Sequence, residues 1–475
     1  MISYLDTRGG GKTLSFSEAV LQGLAPNGGL YVPERLPKLD WAARPWAGTY
    51  AEMATALYDA FETGFDHEQI AERMESAYGR AFDVPDAVAL HPISQHTDVL
   101  ELWHGPTAAF KDMALQCLPR FFVHSDQRLI LVATSGDTGS AALAGFADQP
   151  GVKVIVLYPD GGVSPTQLAQ MTSMPGANLY VCAVRGNFDD CQHAVKQVFS
   201  DSVFAQELKD DFQVSFSSAN SINWGRLLPQ VVYYLFAYAR LLGAGRVESG
   251  EPVNICVPTG NFGNILAAWY AGQLGLPLKR LICASNSNNV LYDFFHTGSY
   301  DITQRTFHLT ASPAMDILVS SNLERLLFEL NGRDSGLLAS WMSDLDGQGC
   351  FNVDSATFAK LQAQFASGWV DDQACFATMA KLYREQDYLV DPHTAVALNV
   401  MEQLHPDGHS IVASTASWAK FPEDVGRALG ERPGAGRVPA SLADLAERPR
   451  CFRDTIDGDL ETIKQMIRGR LKQWI

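Results

Sequence analysis

The sequence predicts an α/β protein, with two open α/β domains behind a mostly helical N-terminal domain. Three stretches carry that expectation. Residues 129–133 form a short apolar run, followed by the polar loop Ser135-Gly136-Asp137-Thr138-Gly139, a helical stretch over 140–147 and a second apolar run over 152–157. The pattern returns at 253–257, continues through Gly260-Asn261-Phe262-Gly263-Asn264 into a helix over 265–273, and closes with a run over 280–284. Ser410–Ser414 then leads through Thr415-Ala416-Ser417 to a helix starting at Pro422. The first two stretches read as βαβ units, whose strands run parallel with a right-handed crossover.

Taken in order, residues 1–95 start irregularly and then carry apolar positions at helical spacing over 50–58 and 67–78. Gly28-Gly29-Leu30-Tyr31-Val32-Pro33 belongs to a turn-rich segment. The strand–loop–helix pattern begins near 98. Turn-rich Pro433-Gly434-Ala435-Gly436 marks a surface stretch before a final helix over 459–473. No internal repeat, long linker or low-complexity segment is present. The expected domains are 1–97, then 98–215 with Lys111 and the SGDTG loop, then 216–475 with the GNFGN loop and Thr415.

A chain of 475 residues has room for two or three domains around a large core. Its net charge of −17 argues against nucleic acid or an anionic membrane surface as partner. The same charge means that an anionic substrate needs a local positive site, from helix N-termini and a few Arg or Lys. The eight cysteines (Cys117, Cys182, Cys191, Cys256, Cys283, Cys350, Cys375, Cys451) form no CxxC pair, so they are expected to be reduced, with no metal site. Met1-Ile2-Ser3-Tyr4-Leu5-Asp6 lacks the basic start and apolar core of a signal peptide. The longest apolar run, 231–242, is cut by Arg240 and is too short to span a bilayer. A cytoplasmic protein is expected.

The three polar loops each follow the C-terminal end of a strand, where ligands bind in open α/β sheets. Loops distant in sequence can thus converge on one pocket. His104-Gly105-Pro106-Thr107-Ala108-Ala109-Phe110-Lys111-Asp112 adds a single lysine among small and apolar residues, at the start of a helix. Burial lowers the pKa of such an amine. Neutral, it is a nucleophile whose natural partner is an aldehyde, so Lys111 is a candidate to hold pyridoxal phosphate as a Schiff base. The alternative is a lysine whose stem packs on apolar surface while its head reaches water.

In GNFGN, two glycines let backbone approach a ligand, and the N–H groups of the helix start suit a phosphate; a plain turn is the alternative. In SGDTG, Ser135, Thr138 and backbone N–H groups suit a substrate carboxylate or phosphate, unless Ser135 or Asp137 is only a helix cap. Thr415 is either a simple strand former or a hydroxyl facing a pyridine nitrogen. A hydroxyl there does not hold that nitrogen protonated, which favours elimination and replacement over transamination. Asn220-Ser221-Ile222-Asn223-Trp224-Gly225-Arg226 concentrates donors. Arg226 suits bidentate phosphate recognition, with Ser221 and Asn223 as helpers, or pairs with a surface carboxylate.

The segments HGPTAAFKDMALQ, ATSGDTGSAA, SSANSINWGRLLPQ, PTGNFGNILAA and STASWAKF occur in the order found in the threonine synthase family. The opening TRGGGKTLSFSEAVLQGLAPNGGLYVPE resembles that family's N-terminal domain, so the resemblance covers nearly the whole chain. It implies the pyridoxal-phosphate fold of the tryptophan synthase β subunit, fold type II. It implies a carbon–oxygen lyase acting on phosphates, which converts O-phospho-L-homoserine and water to L-threonine and phosphate, the last step of threonine biosynthesis. By the same resemblance Lys111 carries the cofactor, Gly260, Asn261, Phe262, Gly263 and Asn264 hold its phosphate, and Thr415 meets its ring nitrogen. Two departures stand out: Ser417-Trp418 where many members have His-Pro, and Asn288-Asn289 where Asn-Asp is common.

The expected substrate ligands are Ser135, Thr138, Ser221, Asn223 and Arg226, and the expected assembly is a monomer or weak homodimer. Two other classes compete. One is a lyase with the same cofactor that releases 2-oxobutyrate; the other is a non-catalytic ligand-binding relative, against which the intact Lys111 argues. A dinucleotide enzyme lacks support, because no GxGxxG with an acidic partner is present.

Overall fold

The computed structural model describes residues 1–39, 45–122, 127–434, 437–452 and 454–474. Ala435 and Gly436 of the turn-rich stretch expected at 433–436 lie outside them. In chain order, β1 (Tyr4–Asp6) and β2 (Tyr31–Pro33) pair antiparallel, and β3 (Ala89–Ser94) and β4 (Thr97–Glu101) form a hairpin. β5 (Gln127–Ala133), β6 (Val152–Pro159), β7 (Leu179–Arg185) and β8 (Val214–Ser217) follow, then β9 (Val253–Pro258) and β10 (Leu278–Ser285). β11 (Ser299–Asp301) pairs antiparallel with β12 (Cys350–Asn352); β13 (Phe365–Trp369), β14 (Ser410–Ser414) and β15 (Asp454–Asp457) complete the strands.

Two open sheets result. The larger has the order β13-β10-β9-β14-β4-β3, parallel except for the β3–β4 edge. The smaller has the order β15-β7-β6-β5-β8 and is parallel throughout. Both expected βαβ units are present: β5 and β6 flank the helix Asp137–Phe146, and β9 and β10 flank the helix Gly263–Gln273. Their strands are buried runs of Val, Ile and Leu, as parallel strands covered on both faces require.

The expected domain limits need correction. β4 straddles the 97/98 limit and belongs to the larger sheet, where Val99 pairs with Val412 of β14. β8 straddles the 215/216 limit and closes the smaller sheet against β5. β15 and the helix Leu460–Trp474 return from the chain's end to that same sheet, where Ile463, Ile467 and Leu471 pack with Leu129 and Ile155. Chain continuity does not decide which sheet edge a strand completes; non-local pairing does.

The N-terminal helices form where expected, at Tyr50–Ala60 and His67–Tyr78, each opened by a reciprocal capping box (Thr49 with Glu52, Asp66 with Gln69). The apolar run at 231–242 becomes the middle of Trp224–Gly243, a helix with almost every residue buried. It is enclosed on nearly every side, the setting of a core helix, and takes Arg226 and Gln230 inside with it. Residues of the N-terminal helices, this helix and both sheets join in one core. Among the described residues, no helix is long and apolar enough to cross a membrane.

Candidate active site

The site lies where the loops after β4, β5, β9 and β14 meet. The HGPT segment folds on itself. Asp112 accepts hydrogen bonds from the Thr107 backbone N–H at 2.9 Å and the Thr107 hydroxyl at 2.7 Å, and burial pushes its carboxyl up to about 6. A Cβ on Gly105 would sit 2.5 Å from the Asp112 Cβ, so this turn needs glycine. The loop is then tied to the one after β14. Phe110 N–H donates to the Thr415 carbonyl at 2.8 Å, Ser417 N–H to the Ala108 carbonyl at 3.0 Å, and Ala109 bridges Ala416. These backbone bonds bring Lys111 and Thr415 together. Thr415 is buried, and its hydroxyl bonds no described residue.

Lys111 opens the short helix Lys111–Leu115, and its side chain is 12% exposed. Its Nζ lies 3.7 Å from Asp137 Oδ2 and 4.8 Å from the centre of the Phe110 ring. Burial lowers the amine's pKa, Asp137 opposes that shift, and the positive charges of Lys420 and Arg226 reinforce it. Asp137 is shared. Its Oδ1 accepts from Lys420 Nζ at 2.9 Å and from Gln167 Nε2 at 2.9 Å. Burial raises the Asp137 carboxyl, but Lys420 and Lys111 outweigh it and hold it far below the usual carboxylate range.

The loop after β5 is built differently from the cap that sequence allows. Neither Ser135 nor Asp137 caps the helix; the cap position is Gly136, with no side-chain hydrogen bond. Thr134 closes the turn, its hydroxyl accepting from Gly136 N–H at 3.0 Å and Gly139 N–H at 2.9 Å. Gly136 has φ 133°, and a Cβ there would meet Gln167 at 2.2 Å. Ser135 and Thr138 are half-buried, and their hydroxyls bond no described residue.

In GNFGN the left-handed residue is Phe262 (φ 66°), and neither glycine has positive φ. The Phe262 ring is buried near Phe295 and Phe365, which anchors the unusual backbone. Gly260 is required by the protein itself, because a Cβ would lie 2.4 Å from the Ala314 carbonyl oxygen. Gly263 is not: a Cβ there meets nothing closer than 3.5 Å, at Asn322 Nδ2, with Ser221 Cβ at 4.0 Å. Space at Gly263 therefore remains for a ligand. The loop is clamped from outside. Ser320 donates to the Gly260 carbonyl at 2.8 Å, and Asn322 donates to the Asn261 carbonyl from its backbone N–H at 3.1 Å and its Nδ2 at 3.2 Å. Asn264 Oδ1 accepts from the hydroxyls of Tyr233 and Tyr234, while its Nδ2 is buried without a partner. The helix Gly263–Gln273 has no side-chain cap, so its first N–H groups are left for an anion.

Arg226 is 2% exposed and is not the surface ion pair that sequence allowed. Among the described residues no carboxylate pairs with it. Nη1 donates to the Ala219 carbonyl at 2.6 Å, Nε is buried without a partner, and burial lowers the guanidinium to about 10. The expectation for Asn223 is corrected. It is fully buried, donates to the carbonyls of Val20 at 2.7 Å and Ser218 at 2.8 Å, and accepts from Gly225 N–H at 2.8 Å. Its amide is spent on capping the helix and tying it to the N-terminal segment, so nothing remains for a substrate. Ser221 is half-buried with a hydroxyl that bonds no described residue, and it stands beside Gly263.

Sequence reasoning missed Lys420 and saw Asp137 only as a cap. Lys420 carries a signal akin to that of Lys111, a lone lysine in a run of small and apolar residues, here directly between Ala419 and Phe421. The clamp residues Ser320 and Asn322 had no such signal, since a Ser or Asn in a loop is ordinary.

A family model for pyridoxal-phosphate-dependent enzymes matches residues 99–414, one for the threonine synthase N terminus matches 3–78, and one for the threonine synthase C-terminal region matches 394–467. Human threonine synthase-like 1 is 42% identical over 430 residues, covering 87% of this chain; the chain spans only 58% of that protein's length. Threonine synthase of Pseudomonas aeruginosa is 39% identical over 464 residues and 94% of each chain. Among solved structures, pyridoxal-phosphate-bound threonine synthase from Brucella melitensis superposes with a TM-score of 0.91 at 36% identity, covering 99% of this chain and 100% of that one. Yeast threonine synthase gives a TM-score of 0.89 at 33% identity over 99% of each chain. On these likenesses, and on the site just described, the chain belongs to the threonine synthase family of pyridoxal-phosphate-dependent enzymes.

Proposed function

We propose that this protein converts O-phospho-L-homoserine and water to L-threonine and phosphate. The observation that carries the reading is a buried cluster with more basic groups than carboxylates: Lys111 and Lys420 share Asp137, while Arg226, whose charge acts on Lys111, pairs with no carboxylate among the described residues. In a chain of net charge −17, this is the local cation that a doubly charged phosphate ester needs. The donor set also fits pyridoxal phosphate. Lys111 offers an amine of lowered pKa, and the uncapped helix start with the unpartnered Asn264 Nδ2 offers donors to a phosphate. When bound, that cofactor supplies the electron sink that stabilises negative charge on the substrate's carbon skeleton.

In this reading Lys111 binds the cofactor, the Gly260–Asn264 loop holds the cofactor phosphate, and the Thr415 hydroxyl meets the ring nitrogen. Ser221, expected as a substrate ligand, stands beside Gly263 and is reassigned to the cofactor phosphate. Ser135 and Thr138 hold the substrate carboxylate at the start of the helix Asp137–Phe146. Arg226 faces the substrate phosphate. Lys111 Nζ, released when substrate arrives, takes the proton from Cα, and Asp137 steadies the resulting ammonium. A Cβ proton is lost, and the bond from Cγ to the phosphate oxygen breaks towards Arg226. A proton is delivered to Cγ, water forms the new C–O bond at Cβ with loss of a proton, and Lys111 returns its proton to Cα. We place the enzyme in a reducing cytoplasm, in keeping with its free thiols, as a monomer or weak homodimer.

Product identification tests the reading. Incubation with O-phospho-L-homoserine is expected to release threonine and phosphate in equal amounts. A majority of 2-oxobutyrate replaces it with a lyase of the same cofactor; spectral binding without turnover replaces it with a binding protein.

A further inference from the structure

Two lysines compete for one carboxylate, and they do not share it equally. Lys420 comes from the loop after β14, is fully buried, and donates to Asp137 Oδ1 at 2.9 Å and to the Thr107 carbonyl at 2.7 Å. Its own carbonyl accepts from Ser164 Oγ at 3.3 Å, and Gln167, in the same helix turn, holds Asp137 from the other side. Lys420 is thus fixed by groups from both sheets. Lys111 is left with Asp137 Oδ2 at 3.7 Å, beyond hydrogen-bond length.

We propose that Lys420 is a positioning residue for Lys111: by occupying Asp137 it leaves the Lys111 amine loosely held, near a negative charge but free to swing and react. The proposal rests on Lys111 being the cofactor-binding lysine. The charged groups that face Lys111 are Asp137 from the loop after β5, Lys420 from the loop after β14 and Arg226 from the helix Trp224–Gly243. Asp112, its chain neighbour, directs its carboxylate to Thr107 instead. Removing the Lys420 charge acts on Lys111 twice. It deletes a repulsion, and it frees Asp137 to close on the Lys111 ammonium. Both changes favour the protonated, unreactive amine.

The test follows capture of pyridoxal phosphate by the cofactor-stripped full-length chain, reading the rate of absorbance change against pH. Borohydride reduction with peptide mapping first identifies the labelled lysine; a lysine other than 111 overturns the reading of Lys111 itself, independently of this proposal. Given Lys111, Lys420→Met is expected to move the midpoint of capture upward by roughly one pH unit, a tenfold slower capture below the midpoint. Lys420→Arg is expected to stay near the original midpoint, and Asp137→Asn to move it downward. A purely structural Lys420 would lower thermal stability and leave the midpoint unchanged, and that result for Lys420→Met overturns the proposal. Should Lys420→Met yield no folded protein, an unmoved midpoint in Asp137→Asn overturns it equally.

Discussion

A buried carboxylate stands between two basic side chains at each end of β4 and β14, adjacent strands of the larger sheet: Asp98 of β4 itself at the amino end, and Asp137, from the loop after β5 of the smaller sheet, at the carboxyl end. At the amino end Asp98 Oδ2 accepts from His409 Nε2 at 2.8 Å and from Arg246 Nη2 at 2.7 Å and Nε at 3.1 Å. At the carboxyl end Asp137 has Lys420 at 2.9 Å but Lys111 at 3.7 Å. The first cluster closes both contacts to its carboxylate at hydrogen-bond length, as a structural tie between strand ends does. The second leaves one cation slack, beside hydroxyls and an amide nitrogen without partners. The two clusters thus differ in how the carboxylate is held: the first closes both of its contacts, although His409 Nδ1 is buried without a partner, and the second leaves the Lys111 amine loose. Both carboxylates are buried.

The largest expected effect breaks the slack end. Lys111→Ala should lower turnover by ~10³-fold or more. It should also abolish the borohydride-fixed cofactor while circular dichroism and melting change little; a turnover close to the original would remove Lys111 from the chemistry. Next is Arg226→Ala, expected to lower kcat/KM for phosphohomoserine by roughly 10²-fold, in both KM and kcat, because negative charge on the phosphate grows as the Cγ–O bond breaks. Cofactor retention, measured by absorbance after gel filtration, should persist. If kcat/KM holds and only the melting temperature moves, Arg226 is structural.

The two loop glycines sharpen the contrast further. Gly263→Val is expected to weaken pyridoxal-phosphate affinity by about 10-fold or more, through lost access to the helix-start N–H groups. Gly260→Ala, whose Cβ would meet a backbone carbonyl at 2.4 Å, should instead lower stability by ~1–3 kcal/mol. Equal effects of both on affinity would contradict the separate roles. Smallest in its effect on activity is Asp98→Asn at the closed end, expected to cost ~2 kcal/mol of stability with kcat unchanged. Burial raises the Asp98 carboxyl, but His409 and Arg246 outweigh it and hold it below the usual value. Its contribution is therefore present above about pH 4 and lost as the pH falls below that through the depressed folded value. The variant should show a flatter acid limb when melting is followed against pH.

The fold was largely legible because parallel strands buried on both faces are continuous apolar runs, and three of them end in polar loops. The same loops drew attention to Lys111, Gly263 and Thr415, whose roles stand as proposals. Asn223 was misjudged because an amide beside an arginine reads as a ligand donor until its three bonds to Val20, Ser218 and Gly225 are seen. Phe262 was unreadable as the strained residue, since a flanking glycine is the usual bearer of positive φ. Lys420 was passed over although it too is a lone lysine in an apolar setting, because its significance lies in the partner it takes.

By itself the sequence determined the α/β class, the parallel units, the N-terminal helices and the family, for these depend on local periodicity and on contiguous motifs. Only the tertiary structure decided that β4 and β15 cross the domain limits drawn along the chain, that Arg226 is buried without a carboxylate, and that Lys420 and Lys111 divide one aspartate unequally. The physical reason is common to all three. Pairing between distant strands, burial of a charge and competition for a carboxylate are set by which residues meet in space, and neighbours along the chain carry no record of that meeting.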